Sequence, residues 1–296
     1  MSLAYGIVAG FRQAWLHTNG ETVRGMIELT DRGFSTFDVS LYDAPAANFA
    51  GEFRRSVRRT AANECQFLVW MGGTGRGVSR KAIEGIVDDM LGKLGVERLD
   101  LVQYESGEYS GDACIEALGH LMDLCDEAKV RCLGVSNFDT RTLRRAVNQG
   151  IQVVSNQVGH SVVDLRPREE MEHFCEQNSI MLITYGTLCG GLLSDRCIGL
   201  PKPTRRALDT PSLVQYKALI DTWGGWGLLQ EPLFALRTIV EKHQVSVANL
   251  ATRWVLQQKS IGAIIIGARL GMNEERNHMD DNARVFEFEL DTEDLV

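Results

Sequence analysis

Cys65-Gln-Phe-Leu-Val-Trp-Met71 is a near-continuous apolar run. That pattern marks a strand buried on both faces, the environment of a parallel sheet. Next comes Ser79-Arg-Lys-Ala-Ile-Glu-Gly-Ile-Val-Asp-Asp-Met-Leu91. Its apolar residues recur at three- and four-residue spacing, and Ser79 stands where a helix N-cap belongs. A second strand pattern follows at 98–104, completing one strand–helix–strand unit.

The same alternation extends in both directions. Strand patterns fall at 5–9, 34–38, 66–71, 98–104, 130–135, 152–157, 180–185 and 262–267. Ile261-Gly-Ala-Ile-Ile-Ile266 is another apolar run, and Ser246-Val-Ala-Asn-Leu-Ala-Thr-Arg-Trp-Val-Leu256 another helical pattern. Eight strands with intervening helices in 296 residues predict one α/β domain over 1–296, a (β/α)8 TIM barrel. A doubly wound sheet would carry GxGxxG after its first strand, and Tyr5-Gly-Ile-Val-Ala-Gly10 does not supply it. Barrel active sites collect at the C-terminal strand ends, so residues there are the candidates. The long segment 186–227, with Thr222-Trp-Gly-Gly-Trp-Gly227, reads as an irregular lid that could offer Trp223 and Trp226 to the mouth.

Composition narrows the function classes. The formal net charge is −8, which disfavours nonspecific nucleic-acid binding. Arg54-Arg55 with Arg58-Arg59 fits a solvated helix face. No apolar run reaches the length of a membrane span, and the first residues lack signal-peptide character. The seven cysteines form no CxxC pair, which points to reduced thiols and a cytoplasmic location. Cys132 reads as core.

Several blocks resemble the aldo-keto reductases: Gly33-Phe-Ser-Thr-Phe-Asp38, Leu99-Asp-Leu-Val-Gln103, Gly134-Val-Ser-Asn-Phe138, Val153-Val-Ser-Asn-Gln157, Thr184-Tyr-Gly-Thr-Leu188, Gly190-Gly-Leu-Leu-Ser194, Ile265-Ile-Gly-Ala-Arg269 and Asp281-Asn-Ala283. They occur in order along nearly the whole chain. The resemblance implies NADP(H). By position, Ser155, Asn156 and Gln157 would hold the carboxamide, and Tyr185 would stack on the nicotinamide. Arg269 would grip the 2′-phosphate and Asn282 would meet the adenine. Glu274, Glu275 and Asp280 would oppose that phosphate.

Family members reduce carbonyls with a tyrosine, a lysine that depresses its pKa, an aspartate that pairs with the lysine, and a histidine. By the same correspondence Asp38 keeps the aspartate, while Met71 takes the lysine slot and Glu105 the histidine slot. Asp43 falls on the tyrosine position, with Tyr42 one residue early, and either could face the pocket. The resulting expectation is an enzyme whose Asp38, Asp43 and Glu105 converge at the mouth and perform acid–base chemistry on a small organic, biosynthetic-type molecule: isomerisation, dehydration or cyclisation. One alternative is NADPH-dependent reduction of C=C or C=O with Glu105 as proton source. Another is a noncatalytic protein that binds NADP(H) or a partner. Three carboxylates could also hold a divalent cation, but of the six histidines only His160 follows a strand end, so no metal is expected. Oligomeric state is not legible.

Overall fold

The computed structural model describes residues 6–10, 19–40, 44–57, 64–73, 79–107, 112–208, 210–268 and 280–295. Tyr42, Asp43, Arg58, Arg59, Arg269, Glu274 and Glu275 lie outside them. The strands are β1 Gly6–Gly10, β2 Thr36–Ser40, β3 Gln66–Gly72, β4 Leu99–Glu105, β5 Val130–Ser136, β6 Ser155–Gly159, β7 Met181–Tyr185 and β8 Ile261–Gly267. All pair in parallel with their sequence neighbours, and β8 closes on β1. The eight expected strands are therefore present, each within three residues of its sequence limits, in the (β/α)8 barrel the alternation implied.

The helices named below are α1 Asn19–Asp31, α2 Ala44–Ser56, α3 Arg80–Leu94, α4 Ala113–Asp126, α5 Thr140–Asn148, α6 Met171–Gln177, α7 Pro211–Trp223, α8 Gly225–His243 and α9 Val247–Leu256. Ser79 caps α3 by accepting from the Ala82 N–H, and Gly95 ends it in the left-handed region at φ 65°. Ser246 caps α9 in the same way.

Side-chain alternation along each strand sorts the cores. Leu68 points inward with Val8, Leu101, Ile183 and Ala263. Phe67, Val69 and Met71 point the other way, into the large core between barrel and helices. Each such buried side chain contributes about 1.5–3 kcal/mol relative to exposure. Gly134 lies so close to the Ser155 hydroxyl that a Cβ there would overlap it, which explains a glycine in mid-strand.

Segment 186–227 differs from the irregular lid read from sequence. It forms short 3-10 turns at Cys189–Gly191, Asp195–Cys197 and Arg205–Ala207, then α7 and the start of α8. Trp226 is buried in a separate apolar core of α7, α8 and α9, and its Nε1–H donates to the Leu200 carbonyl at 2.8 Å. Leu213, Ile220, Leu229 and Leu233 share that core. The Trp-Gly-Gly-Trp sequence is the break between two helices, with Gly224 at φ 153° and Gly225 at φ 89°. Tyr216, Leu219 and Thr222 of α7, rather than Trp223 or Trp226, line the cavity at the ends of β6 and β7.

Candidate active site

Two polar clusters occupy the inside of the barrel. The deeper one surrounds Asp38, 1% exposed on the inward face of β2. Its Oδ1 accepts from Gln103 Nε2 and from Gln157 Nε2, each at 3.2 Å. Gln103 is fully buried, and its Oε1 has no hydrogen-bond partner.

The upper cluster surrounds Glu105, the last residue of β4 and half-buried. Trp70 Nε1–H donates to its Oε2 at 2.7 Å, and the Ser136 hydroxyl donates to the same oxygen at 3.1 Å. Asn137 Nδ2 donates to Oε1 at 3.0 Å. Asn137 Oδ1 in turn accepts from the Tyr185 hydroxyl at 2.8 Å. A continuous chain thus runs from the Tyr185 phenol through the Asn137 amide to the Glu105 carboxylate. Asn137 sits in the left-handed region at φ 57°, a conformation asparagine tolerates better than most residues. That twist after β5 lets one amide face both neighbours.

Several sequence assignments change. Met71 does not face the mouth; it is 2% exposed in the core beneath the helices. The strand-three side chain beside Glu105 is Trp70, one residue earlier. Alternation from inward Leu68 carries that signal. Asn156 turns outward, where its Nδ2 donates to the Phe138 carbonyl at 2.9 Å and approaches Met171 Sδ. Ser155 lies fully buried against Gly134, and its hydroxyl is unpaired. Of the three proposed carboxamide residues, only Gln157 points into the barrel polar array. Register decides this: Ser136 pairs with Gln157, and Val135 with Asn156. Ser136 and Asn137 are the residues that sequence reasoning missed, although they lie inside the quoted Gly134–Phe138 block.

Of the three carboxylates expected to converge, Asp43 lies outside the described residues. Asp38 accepts from glutamine amides, and Glu105 from Trp70, Ser136 and Asn137. Asn282 is buried near the end of the chain, 7% exposed. Among the described residues there is no cluster of histidine, cysteine and acidic side chains able to hold a metal. Buried thiols are poor nucleophiles here: burial pushes Cys175 and Cys189 up to about 12 and Cys125 up to about 11. No helix among the described residues is long and apolar enough to cross a membrane.

Beyond Tyr185 lies a cavity of about 290 Å³ between the ends of β6 and β7 and helix α7. Its lining includes His160, Asp164, Arg166, Tyr185, Gly186 and Tyr216. His160 follows β6 directly, is 1% exposed, and its Nδ1 lies 2.9 Å from the Asp164 carbonyl oxygen.

Comparison with known proteins settles the lineage. Residues 3–296 match the model of the Aldo/keto reductase family. The chain belongs to that family. Among curated relatives, flagellar radial spoke protein 5 of Chlamydomonas reinhardtii is 28% identical over 161 residues, 54% of this chain and 29% of that protein. The NADH-specific methylglyoxal reductase of Escherichia coli (strain K12) is 23% identical over 201 residues, 65% of this chain and 57% of that enzyme. This aldo-keto reductase therefore spans less than two thirds of either relative. A solved aldo/keto reductase from Klebsiella pneumoniae, in complex with NADP and acetate, superposes with TM-score 0.69 at 20% identity, covering 98% of this chain and 88% of that one. That likeness is one of fold.

Proposed function

We propose that this aldo-keto reductase is an NADP(H)-dependent oxidoreductase that reduces a C=C or C=O bond of a small organic molecule. The observation that carries the proposal is the Tyr185–Asn137–Glu105 chain at the C-terminal ends of β4, β5 and β7. It sets a half-buried aromatic ring beside amide and hydroxyl groups at the place where barrel enzymes work.

In this arrangement Tyr185 supplies the stacking face. Gln157, Ser136 and Asn137 are the groups that would orient a carboxamide. Arg269 and Asn282 keep the phosphate and adenine roles implied by position. When bound, NADP(H) supplies the hydride. Reduction also needs a proton, and Glu105 is the carboxyl group available to move one at its Oε atoms, with Tyr42 or Asp43 as further candidates. Following NADPH at 340 nm with a panel of enones and aldehydes tests this. Oxidation that is lost in Tyr185→Ala supports it; a flat trace across the panel rejects it.

One observation favours a second reading. The side chain beside Glu105 on β3 is the neutral Trp70, and Glu105's partners are Trp70, Ser136 and Asn137, none of them cationic. Among the described residues no cation bonds the Glu105 carboxylate, so that cluster lacks the usual means of lowering a phenol pKa. Proton transfer by Glu105, without hydride, would then be the reaction: isomerisation, dehydration or cyclisation. Turnover without NADPH that disappears in Glu105→Gln would select this reading, and NADPH-dependent turnover alone would exclude it. Small-molecule substrates suit both readings, and a cytoplasmic setting suits both.

A further inference from the structure

The cavity on the far side of Tyr185 holds polar atoms that are without hydrogen-bond partners among the described residues. Arg166 donates through Nε to Asp164 Oδ1 at 2.7 Å and through Nη2 to Asp164 Oδ2 at 2.6 Å. A guanidinium has five N–H donors, and this pair engages two of them. The outer edge, Nη1 with the second Nη2 hydrogen, has no partner among the described residues. The Arg166 side chain is 78% exposed, whereas the Asp164 carboxylate is 11% exposed and sits behind it. Opposite, Tyr216 of α7 brings its hydroxyl over Gly186, and that hydroxyl forms no hydrogen bond among the described residues. Burial pushes its pKa up, so it stays a neutral donor at ordinary pH.

Hydrogen bonds pin the turn that presents the ion pair. Ser161 and Asp164 form an antiparallel bridge, and the Ser161 hydroxyl accepts from the N–H groups of Val163 and Asp164. His160 holds the Asp164 carbonyl from below. At Gly159 the absent Cβ leaves the floor open. An atom there would stand 3.2 Å from Asp164 Oδ2, 3.8 Å from Arg166 Nη2 and 3.8 Å from Tyr185 Cε2. The remaining walls are the Tyr185 and Tyr216 rings, Leu219 and Ala218. None of Trp70, Glu105, Ser136, Asn137 or Gln157 lines this space. Tyr185 is the partition between it and the Glu105 cluster.

We propose that this cavity is a binding subsite for a small ring compound carrying a carboxylate. The ring lies between Tyr185 and Tyr216, and the carboxylate takes the free edge of Arg166 and the Tyr216 hydroxyl. A preformed fork and neutral phenol suit a planar carboxylate, and the volume admits one ring.

Benzoate and its neutral counterpart benzamide are the probes, titrated by calorimetry into the whole protein without and with NADPH. Saturable benzoate binding is expected, about tenfold or more tighter than benzamide. The double variant D164N/R166Q, which removes the cation without stranding its partner, should weaken benzoate about tenfold and leave benzamide unchanged. Equal affinity for the two probes, unchanged benzoate affinity in the double variant, or no saturation at tens of millimolar would overturn the proposal. If that variant melts early, Gly159→Ala and Tyr216→Phe decide. Each should weaken benzoate about threefold, through a raised floor or a lost donor, and no change in both rejects the subsite. NADPH binding, read from its own fluorescence in the same samples, reports separately on the cofactor assignment.

Discussion

The two sides of Tyr185 contrast. Toward β3, β4 and β5, its hydroxyl enters a closed set in which each oxygen of Glu105 meets an N–H or O–H donor. Toward α7, its ring faces a cavity where Arg166 and Tyr216 keep unused donors. A closed polar set fixes geometry, because removing any member strands another. An open one fixes little and invites a ligand. One side of this tyrosine therefore reads as architecture for a reacting group, and the other as a place to hold part of a small molecule.

The largest expected effect tests which strand-three residue belongs to the closed set. Met71→Lys would bury an ammonium group in the barrel–helix core, on the strand face turned away from the mouth. It should cost roughly 3–5 kcal/mol or prevent folding, measured by urea denaturation. A stable Met71→Lys protein would mean the side chain reaches the mouth after all. Next comes Glu105→Ala, which strands Trp70 Nε1–H, Asn137 Nδ2 and the Ser136 hydroxyl. A loss of about 2–3 kcal/mol is expected by the same method. Wild-type stability would show that the set is not closed. Trp70→Phe keeps the ring and deletes one donor, so about 1 kcal/mol should be lost. A larger loss would show that Trp70 does more than donate.

A second closed set lies at the other end of the chain and sharpens the contrast by its pH response. Asp294 is buried, which by itself raises its pKa. Lys242 at 2.9 Å and His243 at 2.7 Å outweigh that and hold it down to about 2. A carboxyl depressed in the folded state stabilises above its ordinary pKa and loses that contribution as pH falls toward the folded value. Wild type should therefore melt above Asp294→Asn at neutral pH, with the gap shrinking between about pH 4 and pH 2. A gap independent of pH would contradict the ionic origin.

The barrel was legible because apolar runs of strand length alternate with helix-period segments, and β3 with α3 alone shows both periods. The mouth was legible only in part. Glu105 and Tyr185 end their strands, so position sufficed for them. Met71 was taken for Trp70 because strand ends blur by a residue, and one residue reverses the side chain's direction. Ser155 and Asn156 were taken for Ser136 and Asn137 because β5 and β6 both carry a Ser-Asn pair near their C-terminal halves. Only the pairing of Ser136 with Gln157 shows which pair reaches the mouth. Segment 186–227 read as a loop because its glycines and prolines mark breaks between short helices, and those breaks mask the helical period on either side. Tyr42, Asp43 and Arg269 lie outside the described residues.

Tyr185, positioned through Asn137 and Glu105, is the proposed face for NADP(H). Titration of the protein with NADPH, followed by the nucleotide's fluorescence, tests it directly. Saturable binding is expected, weakened about tenfold or more in Tyr185→Ala, in keeping with about 1–3 kcal/mol for a stacked ring. Absence of saturable binding in the wild type, or equal affinity in the variant, would contradict it.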